Sequence, residues 1–488
     1  MDFSKRIVLL AALVSGYACA GKTTTGSDGG DSGGGGANPT QPRRYVATNG
    51  DDALAGTEQL PWRTIQRAFD AAQPGETVYI KGGVYRERLT LRVSGNPTDG
   101  VITFQNFGTD TVIVDGTGTE TLGLYLVTIT DRSHVTIAGL HLANNILDKG
   151  GGILITGTGQ RIQFLNNKIS HIRTPGLQAD ARSQPLLIAG TDLRNVVIAG
   201  NEIFDVTTGA SEALALTCNV TDFVVADNFL HDIDDSGIDA SGGYAGCPDR
   251  IAFVPRNGAI RGNLLDRVGV PPFGGGAITV DGGRDIVVER NIVRNSTNAI
   301  LVTAEQPFPY GDTSGIVIRN NVAYGNTNAL LLGEWPSYLG STHDVQVLNN
   351  TFFDNDVGVT LNRATNVMLR NNIFAENGVQ VVNQPGGSPV DVSLDYNLYS
   401  GSGLFFWGSA ENLDFDGHVA VSRQDGNSLF SAPGFVRTTP DVDLRLTPTS
   451  SARDRGDPAF VPGRGELDLA GNPRVARNRV DMGAYELQ

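Results

Sequence analysis

Nine asparagines fall in one recurring slot along this chain: Asn167, Asn201, Asn228, Asn263, Asn291, Asn321, Asn350, Asn372 and Asn397. The intervals between neighbours run from 22 to 35 residues, so a constant unit near the lower bound carries insertions of varied length. Each Asn follows a short run rich in branched residues, such as "NVVIAG", "DIVVER" or "DVQVLN", and precedes a polar corner and another apolar stretch. Short strands recurring at this interval, without helical periodicity, describe the successive coils of a parallel β-helix. An amide in the same corner of every coil has a physical use, because stacked Asn side chains hydrogen-bond along the ladder and tolerate bent backbone. A β-sandwich gives no reason for one residue type to return in one slot. Ten or so coils at a strand spacing of ~4.8 Å make a rod roughly 50 Å long.

The ends of a rod expose sheet edges that need cover. "PWRTIQRAFDAA" (61 to 72) supplies it at the N-terminus, with Ile65, Ala68, Phe69 and Ala72 at helical spacing and Pro61 as a start signal. The stretch "YVATNGDDALAGTEQLPWRTIQRAFDAAQPGETVYIKGGVYRE" (45 to 87) resembles the opening of the right-handed parallel β-helix proteins of the pectate-lyase superfamily. The closing "DLAGNPRVARNRVDMGAYELQ" (468 to 488) is similar to the C-terminal segment of the bacterial choice-of-anchor β-helix proteins. The resemblance implies an all-β fold: a single right-handed parallel β-helix with a short N-terminal capping helix. The expected layout is a signal peptide over 1–19, a flexible tether over 20–42, a cap and first coil over 43–90, coils over 91–425 and a C-terminal capping segment over 426–488. In that superfamily the outward face of the coils holds a sugar chain, while fold alone leaves the chemistry open.

Lys5 and Arg6, the apolar run from Ile7 to Val14 and the small residues after it read as an export signal. Cleavage after Ala20 releases a free chain, whereas cleavage before Cys19 leaves a thiol for lipid. The stretch resembles a bacterial lipoprotein leader, with Gly16 where such leaders usually carry Leu. "GKTTTGSDGGDSGGGGANPTQP" (21 to 42) buries no apolar surface and is expected to act as a tether, which suits a surface-anchored protein. In an oxidising compartment the remaining cysteines, Cys218 and Cys247, are expected to form a disulfide. The net charge of -15 disfavours nucleic acid. The chain is expected to be a monomer that meets a membrane only through lipid on Cys19.

Alternation along the strands separates inward from outward residues. Taking Ile238/Ala240, Ile278/Val280 and Ile300/Val302 as inward leaves Asp239/Ser241, Thr279/Asp281 and Leu301/Thr303 outward, with Glu305, Glu334 and Arg363 just beyond. Asp239 and Asp281, one coil and two residues apart, have Cα atoms about 8 Å from each other. That separation is compatible with the acid and base of an inverting glycosidase. Asp281 and Glu305 are the expected acid/base pair, Asp239 a further acid, and Arg363 and Arg284 the nearest cations for catalysis and for substrate. "AEQPFPYGDTSG" and "GEWPSYLGSTHD" bring Tyr310, Trp335 and Tyr338, with Glu334, to one rim as a sugar platform.

"DIDDSGIDASGG" (232 to 243) places Asp232, Asp234, Asp235 and Asp239 within eight positions. It matches the start of an oxygen-ligand loop for Ca²⁺, although Gly243 stands where a late Glu is needed. It also resembles the Asp-Asp-Gly-x-Asp calcium site of some β-helix pectate lyases, with one residue inserted after Asp235. Elimination on an acidic sugar needs a Lys or Arg base as well, and no Lys follows Lys168. Beside the acids, His231 reads as a surface histidine, and His171 and His343 lack evident partners. Two functions follow from these residues. One is an exported protein acting on polysaccharide as a calcium-assisted lyase or a two-carboxylate hydrolase, and the other is a non-catalytic glycan-binding or cell-surface structural protein.

Overall fold

Branched residues alternating with polar ones, interrupted by Asn, Asp and Gly corners, make strands too short to form a core except by stacking on copies of themselves. The computed structural model describes residues 43–176, 181–333, 340–383, 390–401 and 403–488. The leader, Cys19 and the tether lie outside them. The strands stack in three parallel ladders. The first runs from Leu89–Leu91 through Ile238–Ser241, Gly276–Asp281 and Asn298–Thr303 to Phe405–Trp407. The second runs from Arg43–Val46 to Val390–Asp395, and the third, of 13 strands, from Gly83–Tyr85 to Leu429–Phe430. Two long strands, Gly150–Leu165 and Ser183–Ala199, bend from the first ladder into the second and join them into one sheet.

The inward residues are those the alternation predicts. Ile153, Leu186, Leu214, Ile238, Ile278, Ile300, Leu330 and Val359 pair coil upon coil. All are fully buried, so a one-residue slip in any coil would turn its apolar set to solvent. The Asn slot forms a continuous amide ladder from Asn167 to Asn397. At its centre, Asn291 Oδ1 accepts from Asn263 N and Nδ2 at 3.0 and 2.9 Å, and Asn291 Nδ2 donates to Ile260 O at 2.9 Å. These bonds satisfy groups that water cannot reach. A second, shorter ladder through Ser296, Asn326, Asn355 and Asn377 lies on the next corner.

The N-terminal cap is the helix Ile65–Ala71. It starts at Thr64, whose hydroxyl accepts from Arg67 N, instead of at Pro61, because Glu87 holds the Ile65 and Gln66 N–H groups and fixes where the first turn begins. The C-terminal end differs from the expected layout. The helix Phe415–Ser422 closes the rod, with Phe415 and His418 against Phe405. Residues beyond 434 run along the side of the rod: Leu444, Leu446, Met482 and Ala484 cover Val322, Phe353, Ile373 and Leu398. While Leu429–Phe430 still belongs to the end of the rod, the segment after residue 434 is therefore a lateral buttress. Its position follows from the apolar residues that the late coils of the third ladder turn outward.

Candidate active site

The outward face of the first ladder carries a groove of about 980 Å³. Register brings the predicted acids into it. Asp239 pairs with Thr279 on the next coil, and Asp281, two residues further on, pairs with Thr303. Glu305 follows directly, its N–H donating to Asp281 Oδ1 at 2.7 Å. Glu212 and Asp235 complete the acidic wall.

Above these acids hangs the insertion between Asn228 and Asn263. The Cys218–Cys247 disulfide ties it to the first ladder, as expected, one residue past Thr217. Gly243, at φ +79°, lets its backbone pass the Tyr310 carbonyl, where a Cβ would stand 2.4 Å from the oxygen. Tyr244 then reaches down, and its hydroxyl lies 2.5 Å from Asp281 Oδ2 and 2.5 Å from Glu305 Oε2. A phenol has one proton and can donate to only one of them. The Tyr244 hydroxyl bridges Asp281 and Glu305 and holds the two carboxyl groups at one point.

Asp239 is only 5% exposed, and its Oδ1 has no hydrogen-bond partner among the described residues. Burial pushes its pKa well above the usual carboxylate range, and the charges of Glu212, Asp281, Glu305 and Asp235 push it further. Both effects favour its protonated form. Asp235 rises to about 7, first through burial and then through Glu212 and Asp234, against the opposing N–H groups of Gly275 and Ser236. Burial, followed by the three facing acids, holds the Tyr244 phenol far above its ordinary value, so it stays a hydroxyl.

Other predicted residues go elsewhere. Asp232 sits at a left-handed corner of the third ladder, where Arg267 binds both its oxygens at 2.7 and 2.9 Å and His231 binds one at 2.7 Å. The Arg267 bonds hold its pKa down to about 2. Asp234 accepts from Thr208 N and Oγ1 and from Gly209 N. The four aspartates therefore diverge as the chain turns a corner, and no three His, Cys, Asp or Glu among the described residues are placed to hold a metal ion. The residues do not fit the Ca²⁺ expected at this loop.

Arg284 is paired with Asp312 at 3.1 Å, and Arg363 is exposed past the strand Val357–Asn362; neither lines the groove. Tyr310 lies under the Arg250 guanidinium, 3.9 Å from its ring centroid, as a loop clamp rather than a sugar platform. Glu334, Trp335 and Tyr338 lie outside the described residues. His171 and His343 do have partners, Asp205 and Asp312, each at 3.0 Å. Sequence reasoning missed Glu212, Tyr244 and Phe273, all of which line the groove. The long interval from Asn228 to Asn263, read together with the disulfide, carried a signal for Tyr244.

A family model described as Pel9A-like, right handed beta helix region matches residues 44–205, and a second, described as right handed beta helix region, matches residues 251–419. The crystal structure of pectate lyase Pel9A aligns with a TM-score of 0.54 at 15% identity, covering 92% of this chain and 97% of that one. The fold is a right-handed parallel β-helix, and over these stretches the chain is similar to the Pel9A-like and right handed beta helix regions. Its sequence is 28% identical over 435 residues to the uncharacterized protein YwoF of Bacillus subtilis, covering 84% of this chain and 92% of the relative. A shorter match of 73 residues, 15% of this chain and 18% of the relative, is 33% identical to pectate lyase PEL9 of Emericella nidulans. The fold is thus one used by proteins that act on polysaccharides, and at these identities it carries no chemistry by itself.

Proposed function

We propose that the protein is a glycosidase that hydrolyses a polysaccharide chain lying in the acidic groove. The observation that supports this most is the buried Asp239, whose surroundings favour its protonated form, one coil from the Asp281 and Glu305 carboxyl groups that Tyr244 bridges. An acid and a base set apart by environment, one coil from each other, are the two groups that glycoside hydrolysis needs. Asp239 gives its proton to the glycosidic oxygen as the bond to the anomeric carbon breaks. Water attacks that carbon and loses a proton to the ionised member of the Asp281/Glu305 pair. Tyr244 keeps these two carboxyl groups in one orientation. Phe273, half-buried on the loop before the strand Gly276–Asp281, offers an apolar face for a sugar ring.

Elimination is less well supported. Arg182 is the only cationic side chain lining the groove among the described residues, and the acids do not fit a calcium ion that would neutralise a substrate carboxylate. The leader and the disulfide favour an exported protein, with Cys19 as the residue for a lipid anchor.

The test is digestion of a glycan panel of neutral, amino and uronic chains. Hydrolysis gives new reducing ends without ultraviolet absorbance and disappears in Asp239→Asn. Unsaturated ends would show a lyase instead, and glycan retention without cleavage would show a binding protein.

A further inference from the structure

The groove is poorly built for the acidic sugars on which related folds act. Five carboxyl groups, from Glu212, Asp235, Asp239, Asp281 and Glu305, face one guanidinium, Arg182, across a single space. Glu212 is held on the wall by Gln184 and Ser211, each donating to Oε2 at 3.1 Å. Arg284, on a neighbouring coil, is taken by Asp312, and Arg250 is spent on the Gly243 carbonyl and Gln306.

A second observation points to a ligand. Three polar atoms on this wall are buried without a hydrogen-bond partner among the described residues: Asp239 Oδ1, Thr279 Oγ1 and Thr303 Oγ1. Their residues are 5%, 5% and 2% exposed. All three can accept; Asp239 pairs with Thr279 on the next strand, and Thr303, one strand further, pairs with Asp281. An ammonium carries three donors and no acceptor, and its charge is opposite to that of the wall. A uronate would bring another negative charge into a space already short of cations, and an acetamide would bring no charge at all.

We propose that the groove selects a glycan bearing free amino groups, with one sugar ammonium seated among Glu212, Asp235 and Asp239, over uronate or fully N-acetylated chains. The inference rests on the reading of the groove as a sugar site. It names the sugar class without depending on whether the bond is cleaved. Asp235 gains most from such a ligand, since a cation beside it favours its ionised form.

Calorimetric titration of the full chain with short glucosamine oligomers, the matched N-acetylated oligomers and oligogalacturonate tests it. The amino form is expected to bind at least tenfold tighter than the N-acetylated form, and to weaken as salt rises. Because the chain carries a net charge of -15, cations are attracted everywhere, so the Glu212→Gln/Asp235→Asn double variant is needed to localise the effect. It should lose the preference while melting at or above the wild-type temperature.

Equal or tighter binding of the N-acetylated or uronic oligomers would overturn the proposal, including uronate binding that appears only with Ca²⁺. So would amino-form binding that survives in the double variant, or no binding of any oligomer. Hydrolysis of neutral chains with no amino preference would sink this inference and leave the hydrolase reading intact. Tight, groove-dependent binding of the amino form without cleavage would do the reverse.

Discussion

Tyr244→Phe removes one oxygen from the point where two carboxyl groups meet it at 2.5 Å each. The ring stays, so packing of the insertion is preserved. What is lost is a donor to whichever of Asp281 and Glu305 is ionised. A hydrogen bond to a charged group contributes about 1.5–3 kcal/mol. Without it the ionised carboxylate is less stable. If that carboxylate is the catalytic base, the acid limb of the pH–rate profile must move to higher pH. Near neutral pH the rate falls as the base becomes protonated, and it recovers partly as pH is raised. The assay is kcat/KM for glycan cleavage across pH in both proteins, with thermal unfolding as a control for integrity. An acid limb at the wild-type pH, with a uniformly lower rate, would refute the hydrogen bond from Tyr244 to the base. An unchanged rate would remove Tyr244 from the site altogether.

Asn291→Ala leaves the buried Asn263 N–H and Ile260 C=O without partners, and should cost about 3–5 kcal/mol, read as a lower denaturant midpoint. Asp235, with its pKa raised to about 7 when folded, binds more protons in the native than in the unfolded state between about pH 4 and 7. Its contribution to stability therefore falls as pH rises through that window. Asp235→Asn should flatten this part of the melting curve against pH, while Glu486, also raised to about 7, keeps a remaining slope. The Cys218→Ser/Cys247→Ser variant should loosen the insertion and lower activity at least tenfold through Tyr244, while amide-exchange protection along the Asn ladder persists.

The legible parts of this protein are those that repeat. An amide ladder needs the same residue in every coil, so the Asn slot exposed the coils. The coils in turn exposed the register that places Asp239 beside Thr279 and Asp281 beside Thr303. The illegible parts depend on corners and insertions. Asp232 and Asp239 are close in sequence, but the chain turns between them from the third ladder to the first, so the apparent calcium loop is divided between two faces. Glu212 precedes Leu214 by two residues and by simple alternation should point inward. The corner at Ser211 resets that count, and the carboxylate lines the groove. Tyr244 lies in an insertion whose path only its contacts reveal. The same limit applied to Tyr310, an exposed-looking aromatic that Arg250 covers.

The chemical fate of the cleaved bond bears most directly on the claim that these acids add water to a glycosidic linkage. Cleavage of a susceptible glycan in heavy-oxygen water, followed by mass spectrometry of the fragments, reads it. The account predicts one heavy oxygen at the new reducing end, with none incorporated by Asp239→Asn. Unlabelled fragments ending in an unsaturated sugar would contradict it.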